Sequence, residues 1–98
     1  IPKLDTKQLL VSIEPNPFNP STEIKFSVAR QAEVDLTILN VAGEVIRRLV
    51  ANQTYGRGVH VVAWNGKNEM GIPVASGIYI CNVEVGHQVE LRAMTLLK

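Results

Sequence analysis

The rhythm of the apolar residues constrains this 98-residue chain more than any other feature. From Leu9 onward, short runs of β-branched and other apolar residues are separated by turn residues at intervals of about ten residues, the spacing of a sandwich or barrel. Ile24, Phe26 and Val28 fall on one face of an extended segment, and Glu23, Lys25 and Ser27 fall on the other. Val34, Leu36 and Ile38 stand against Glu33, Asp35 and Thr37 in the same way. Only Val41–Val50 approaches a helical period, and Gly43 with the β-branched residues there argues against a helix.

Seven strands are predicted: Leu9–Glu14, Thr22–Val28, Glu33–Val41, Glu44–Val50, Gly58–Trp64, Gly77–Val85 and Gln88–Leu97. A chain this short has room for one domain, an all-β antiparallel sandwich over residues 9–98. Residues 1–8 read as a linker or tail from a preceding domain. The expected core is Phe18, Ile24, Phe26, Val34, Leu36, Ile38, Val62, Trp64, Tyr79 and Val83, the in-phase residues of successive strands. Val59, Val61 and Ala63 alternate with His60, Val62 and Trp64, so the fifth strand is expected to be covered on both faces. In the last strand Val89 and Leu91 are expected inward, with a bulge near Arg92–Ala93 that returns Met94 and Leu96 to the core. Val85-Gly86-His87-Gln88 and Ala42-Gly43 are hairpin signals. Asn65-Gly66 opens the longest loop, which runs to Ser76.

Composition narrows the function. Basic and acidic side chains nearly cancel at a net charge of +1, and they are scattered singly apart from Arg47–Arg48. Nucleic-acid binders gather their Lys and Arg, so no nucleic-acid partner is expected. No apolar run reaches membrane-spanning length, and no membrane insertion is expected. Cys81 is the only cysteine, so an internal disulfide is impossible. The first residue is Ile1, and the chain is expected to be a fragment of a longer protein.

Convergent chemistry is hard to find. His60 and His87 have no Cys or carboxylate at a ligand-like spacing, and Cys81 sits among apolar strand residues. The loop Asn65–Gly71 has oxygen-bearing side chains, yet it lacks the alternate acidic spacing of a calcium loop and carries Lys67 at its centre. No catalytic residue, metal or cofactor is expected. Trp64 and Tyr79 stand in phase with core residues, which leaves Tyr55 as the one aromatic expected to be exposed and weakens a sugar-stacking reading.

One segment is not generic. Pro15, Pro17 and Pro20 stiffen Glu14-Pro15-Asn16-Pro17-Phe18-Asn19-Pro20-Ser21-Thr22 into an irregular crossover. Phe18 is placed to plug one end of the sandwich, while Asn16, Asn19 and Ser21 can satisfy backbone groups that no strand pairs.

This segment, followed by Ile24-Lys25-Phe26, resembles the start of the C-terminal sorting domains of the type IX secretion system, relatives of the immunoglobulin-like domain of flagellar hook-capping proteins. Val34 through Val45 is similar to that family's third and fourth strands. Gly58-Val59-His60 through Trp64-Asn65-Gly66, and Val74-Ala75-Ser76-Gly77-Ile78-Tyr79, resemble two further signatures, with Asn65 in place of the usual Asp. Met94-Thr95-Leu96-Leu97-Lys98 resembles the family's chain terminus, although Ala93 replaces a common Lys.

The resemblance implies that the sandwich is immunoglobulin-like, a non-catalytic domain at the end of a larger secreted or cell-surface protein. It would act as a folded sorting and anchoring signal, with the preceding domain and the secretion machinery as its partners. Its structural motif would be Pro15, Asn16, Pro17, Phe18, Asn19, Pro20, Trp64, Gly77 and Tyr79, and its recognition residues Met94, Thr95, Leu96, Leu97 and Lys98. A structural module packed on a catalytic or binding domain, without a signalling role, is the alternative. Flagellar hook-cap assembly and carbohydrate binding follow behind it. Lys98 is expected to be the true chain end.

Overall fold

The computed structural model describes residues 9–98, and the segment read as a linker, residues 1–8, lies outside them. The seven strands are β1 (Val11–Glu14), β2 (Thr22–Val28), β3 (Ala32–Asn40), β4 (Val45–Tyr55), β5 (Gly58–Trp64), β6 (Gly77–Val85) and β7 (Gln88–Leu96). They form two antiparallel sheets, one in the order β1-β2-β5 and the other in the order β4-β3-β6-β7. The inward rows of both sheets meet in a single apolar core, as expected of an immunoglobulin-like sandwich.

The alternation read from the sequence sets the register. Ile24, Phe26, Val34, Leu36, Ile38, Trp64 and Val83 are almost fully buried, and Phe18 and Tyr79 nearly so. Val62 is only half-buried, packed at the margin of the core. Gly86 adopts φ +59° in the β6–β7 hairpin, a conformation that favours glycine. Asn40 shapes the β3–β4 turn, its Oδ1 accepting from the N–H groups of Ala42 and Glu44.

Four expectations are corrected. β4 runs on to Tyr55, well past Val50, because its polar stretch lies on a sheet edge where both faces meet water. Its pairing with β3 shifts register three times, which erases the alternation a sequence would show. β7 has no bulge: its register with β6 is continuous from Gln88 to Leu96. Gln88, Glu90 and Arg92 therefore share the inward row with Met94 and Leu96, while Val89 and Leu91 point outward and are half-exposed. Arg92 and Glu90 pair with each other on that row, at the open edge of the sheet beside the buried Cys81 and Val83 of β6.

The third correction concerns β5, which is not covered on both faces. Val59 and Val61 are 66% and 50% exposed, because no described residue covers them on the outer face of the three-stranded sheet. The fourth concerns Tyr55, which is half-buried. Its ring meets Phe26 at 5.5 Å and His60 at 4.8 Å.

Candidate functional site

The residues singled out from the sequence come from four separate stretches, and the fold brings them to one end of the sandwich. Phe18 packs at a tilt against Trp64 with ring centroids 5.6 Å apart, and Trp64 meets Tyr79 edge-on at 5.5 Å. Trp64 Nε1 donates to the carbonyl of Lys67 at 2.9 Å, and the Tyr79 hydroxyl donates to that of Ala75 at 2.7 Å. Both buried polar tips are thus satisfied by the loop that joins β5 to β6. Burial raises the Tyr79 hydroxyl pKa above its ordinary value. Gly77 opens β6 directly opposite Leu96.

The proline-rich crossover does more than connect strands. It lies along the outer edge of β7 and pairs with it. Phe18 N–H donates to Thr95 O and Leu97 N–H donates to Phe18 O, both at 2.9 Å. Asn16 extends the clamp: its Oδ1 accepts from Thr95 N–H at 3.0 Å and its Nδ2 donates to Ala93 O at 3.3 Å. Asn16 thus satisfies unpaired strand groups as expected. Close by, the Thr22 hydroxyl donates to Pro15 O at 2.7 Å. Gly66 sits behind the crossover at φ +76°, and a Cβ there would lie 2.8 Å from Pro20 O. The Asn-Gly turn after Trp64 is thus fixed both by its backbone conformation and by this close approach.

The segment Met94–Lys98 is woven into the same structure. Met94 and Leu96 are buried, Thr95 is half-buried, and Leu97 and Lys98 are exposed. Lys98 N–H donates to Ser76 Oγ at 3.0 Å. The sequence marked out this terminus and the crossover separately. Their mutual pairing escaped it, since a segment without strand alternation carries no signal of the edge it will cover.

The residues weighed for chemistry lie apart. His60 Nε2 is 2.7 Å from Gly56 O, with its ring between Tyr55 and Phe26. His87 is exposed in the β6–β7 turn. Cys81 is fully buried, and burial pushes its thiol up to about 12, so the nucleophilic thiolate is scarce at neutral pH. In the loop after β5, Asn68 Oδ1 accepts from Met70 and Ile72 N–H, and Asn65 Oδ1 from Lys67 N–H. Glu69 reaches across to the N–H of Arg48 on β4. These oxygens shape the loop. Among the described residues no three His, Cys, Asp or Glu side chains gather to hold a metal ion. No helix among them is long and apolar enough to cross a membrane.

Residues 14–88 match the family model described as the FlgD Ig-like domain. No curated protein matches the chain. Among solved structures the fold is similar to part of PorZ from Porphyromonas gingivalis, described as an essential bacterial surface component of the type-IX secretion system. That likeness has a TM-score of 0.61 at 20% identity and covers 90% of this chain but 11% of PorZ, so it speaks for the fold alone. This chain spans about a ninth of that protein's length.

Proposed function

The chain belongs to the FlgD Ig-like domain family, and from that premise we propose that it is a non-catalytic module of a larger exported protein. In this reading it is a folded sorting and anchoring signal for transport across the outer membrane, and its protein ends secreted or at the cell surface. The observation that carries the proposal is the convergence of four sequence stretches on one end of the sandwich, where the crossover clamps Ala93–Leu97 and the rings of Phe18, Trp64 and Tyr79 pack against one another. Such a surface exists only in the folded domain, which suits a signal that must be read after folding. The motif resemblance to type IX sorting domains supplies the identity of the reader, the secretion machinery, and the preceding domain is the cargo-side partner.

Burial of Met94 and Leu96 refines which residues a receptor would touch. They hold the terminus in place, while Leu97, Lys98 and the exposed residues Pro15, Pro17, Asn19 and Pro20 form the accessible surface. The test is a reporter fused ahead of this chain in a host with the type IX machinery. Deleting Met94–Lys98 removes two buried anchors and the crossover's partner, so it should lower the melting temperature and stop surface delivery. Replacing Lys98 and Asn19 by Ala should leave melting nearly unchanged, as exposed substitutions usually do, while reducing delivery. Delivery that survives the deletion overturns the sorting role and leaves a structural module of a secreted protein as the better reading.

A further inference from the structure

Two sheets of this kind present four edge strands, and an edge strand is a template for another chain unless it is guarded. Three of the four are guarded here. β1 is four residues long and is followed at once by Pro15. β4 carries Arg47 and Arg48, shifts register three times against β3, and has the outward N–H of Arg48 taken by Glu69. β7 is covered by the crossover over its second half, and in its first half Arg92 donates to the outward carbonyl of Leu91 at 2.9 Å.

β5 has none of these devices. Gly58–Trp64 contains no Pro, Lys, Arg, Asp or Glu, and its pairing with β2 is unshifted along its whole length. The direction of its free groups follows from the ladder. Ser27 N–H bonds to Leu10 O, so the backbone of Ser27 faces β1, and its partner Val59 turns its own N–H and C=O away from β2. By the period of two, Val61 and Ala63 do the same. Among the described residues no hydrogen bond reaches these groups. Their side chains form the exposed row on the outer face, while Val62 and His60 lie half-covered on the inner side.

We propose that β5 pairs edge to edge with β5 of a second copy of this chain, antiparallel about Val61, joining the two three-stranded sheets into one. The strand is complementary to itself. Val61 would face Val61 of the second copy, and Val59 would face its Ala63, each pair exchanging both backbone bonds. On the inner side His60 would meet Val62 of the second copy, closing the margin that leaves Val62 half-exposed. Charge permits the approach. On the outer face Lys25 stands opposite Val61 on β2, and exposed Arg57, just before the strand, would lie at the end of the pairing opposite Asn65 of the second copy. The two Lys25 side chains would stand three strand spacings apart, about 14 Å, beyond the screening length of about 8 Å at physiological salt. A twofold contact of this kind closes on itself and stops at a dimer.

Sedimentation equilibrium of the 98-residue chain over a concentration series tests this, with amide exchange followed on the same samples. A monomer–dimer equilibrium is expected, with the amides of Val59, Val61 and Ala63 gaining protection as concentration rises. Val61→Lys places like charges directly opposite and should weaken the dimer about tenfold or more while leaving the monomer folded. Val41→Lys, at an exposed turn residue of the opposite sheet, should leave the dimer unchanged. Mixing Val61→Lys with Val61→Glu should restore pairing between unlike chains. Three results overturn the proposal: a wild-type monomer throughout with those three amides unprotected, assemblies larger than a dimer, or a folded Val61→Lys variant that dimerises like the wild type. The exchange measurement on the wild type decides the matter even if a variant fails to fold.

Discussion

The two edges β7 and β5 are built from similar material and end up in opposite situations. Both alternate exposed apolar residues with a second row, Val89 and Leu91 on β7 and Val59 and Val61 on β5, and both close one side of a sheet. β7 is met by a stiff segment with no strand alternation, whose backbone and Asn16 side chain take up the outward groups of Ala93, Thr95 and Leu97. β5 is met by nothing within the described residues. The difference lies in residues far away in sequence, since the guard on β7 comes from the segment before β2. It teaches that the prolines, Asn16 and Phe18 act together as an edge closure. Each alone would read as a loop residue.

The largest way to break this contrast is to remove the base on which the closure rests. Trp64 is fully buried between Phe18 and Tyr79, and Trp64→Ala should destabilise the domain by about 3–5 kcal/mol through lost burial and the cavity left behind. A domain of this size has only about 5–15 kcal/mol in all, so the variant should be near unfolding at body temperature. Val61→Ala on the bare edge removes an exposed side chain and should change the stability of the monomer by no more than about 0.5 kcal/mol. Chemical denaturation of both variants at a concentration below association checks the pair. Equal midpoints would show that the packed rings carry no special share of the stability.

Next in size is Gly66→Ala. The substitution adds a Cβ at φ +76° and places it 2.8 Å from the backbone oxygen of Pro20, so either the turn or the crossover must move. A cost of about 1–3 kcal/mol is expected, the range for a residue held in a sparsely populated backbone region. The crossover is the partner displaced, so amide exchange of Thr95 and Leu97 should quicken while that of His60, paired to β2, stays as it was. Uniform quickening would mean the turn strain is shared by the whole fold and not by the closure. Asn16→Ala is gentler. It removes two hydrogen bonds at an exposed position and should cost about 1 kcal/mol. Its exchange signature should be confined to Thr95.

Much of this architecture was legible because alternation reports burial wherever one face of a strand is covered and the other is wet. β2, β3 and β6 meet that condition, and their inward rows were read correctly from Ile24, Leu36 and Val83 outward. The rule fails at edges. Val59 and Val61 have the composition of covered residues and are exposed, because the sequence of a strand does not say whether its outer face has a partner. Val89 and Leu91 misled for a related reason. β7 is an edge strand whose first half stays exposed or half-exposed beside the buried Cys81 and Val83 of β6, so apolar character there does not mark the inward side, and Gln88, Glu90 and Arg92 hold the inward positions. Tyr55 lay beyond the last readable alternation of β4, and its packing on Phe26 joins residues that no local pattern connects. The motif residues were legible as a set through resemblance, yet their physical task became visible only once the crossover and β7 stood side by side.

The smallest effect separates two ways of guarding an edge. β4 is protected by charge as well as by irregularity: Arg48 pairs with Asp35 of β3, and Asp35 Oδ1 also accepts from the N–H of Asn52 at 3.1 Å. The hydrogen bond from the Arg48 side chain holds the Asp35 carboxyl below its ordinary pKa against the opposing effect of burial, with lesser help from the Asn52 N–H and the positive charge of Arg48. A carboxyl whose pKa is lowered by folding adds stability that is fully present above its unfolded value of about 3.9 and fades as the pH falls through the folded value. The pair is exposed, so its contribution to overall stability is slight. Its local signature should still be clear. As the pH drops below that of a free carboxyl, the Asn52 amide should lose protection, while the Thr95 amide, held by the neutral side chain of Asn16, should keep its own. Asp35→Asn should lower Asn52 protection at neutral pH and flatten its pH dependence without touching Thr95. Parallel loss at both amides on acidification would mean that the β4 edge and the β7 closure open together, and that the sandwich has one cooperative margin in place of two independent ones.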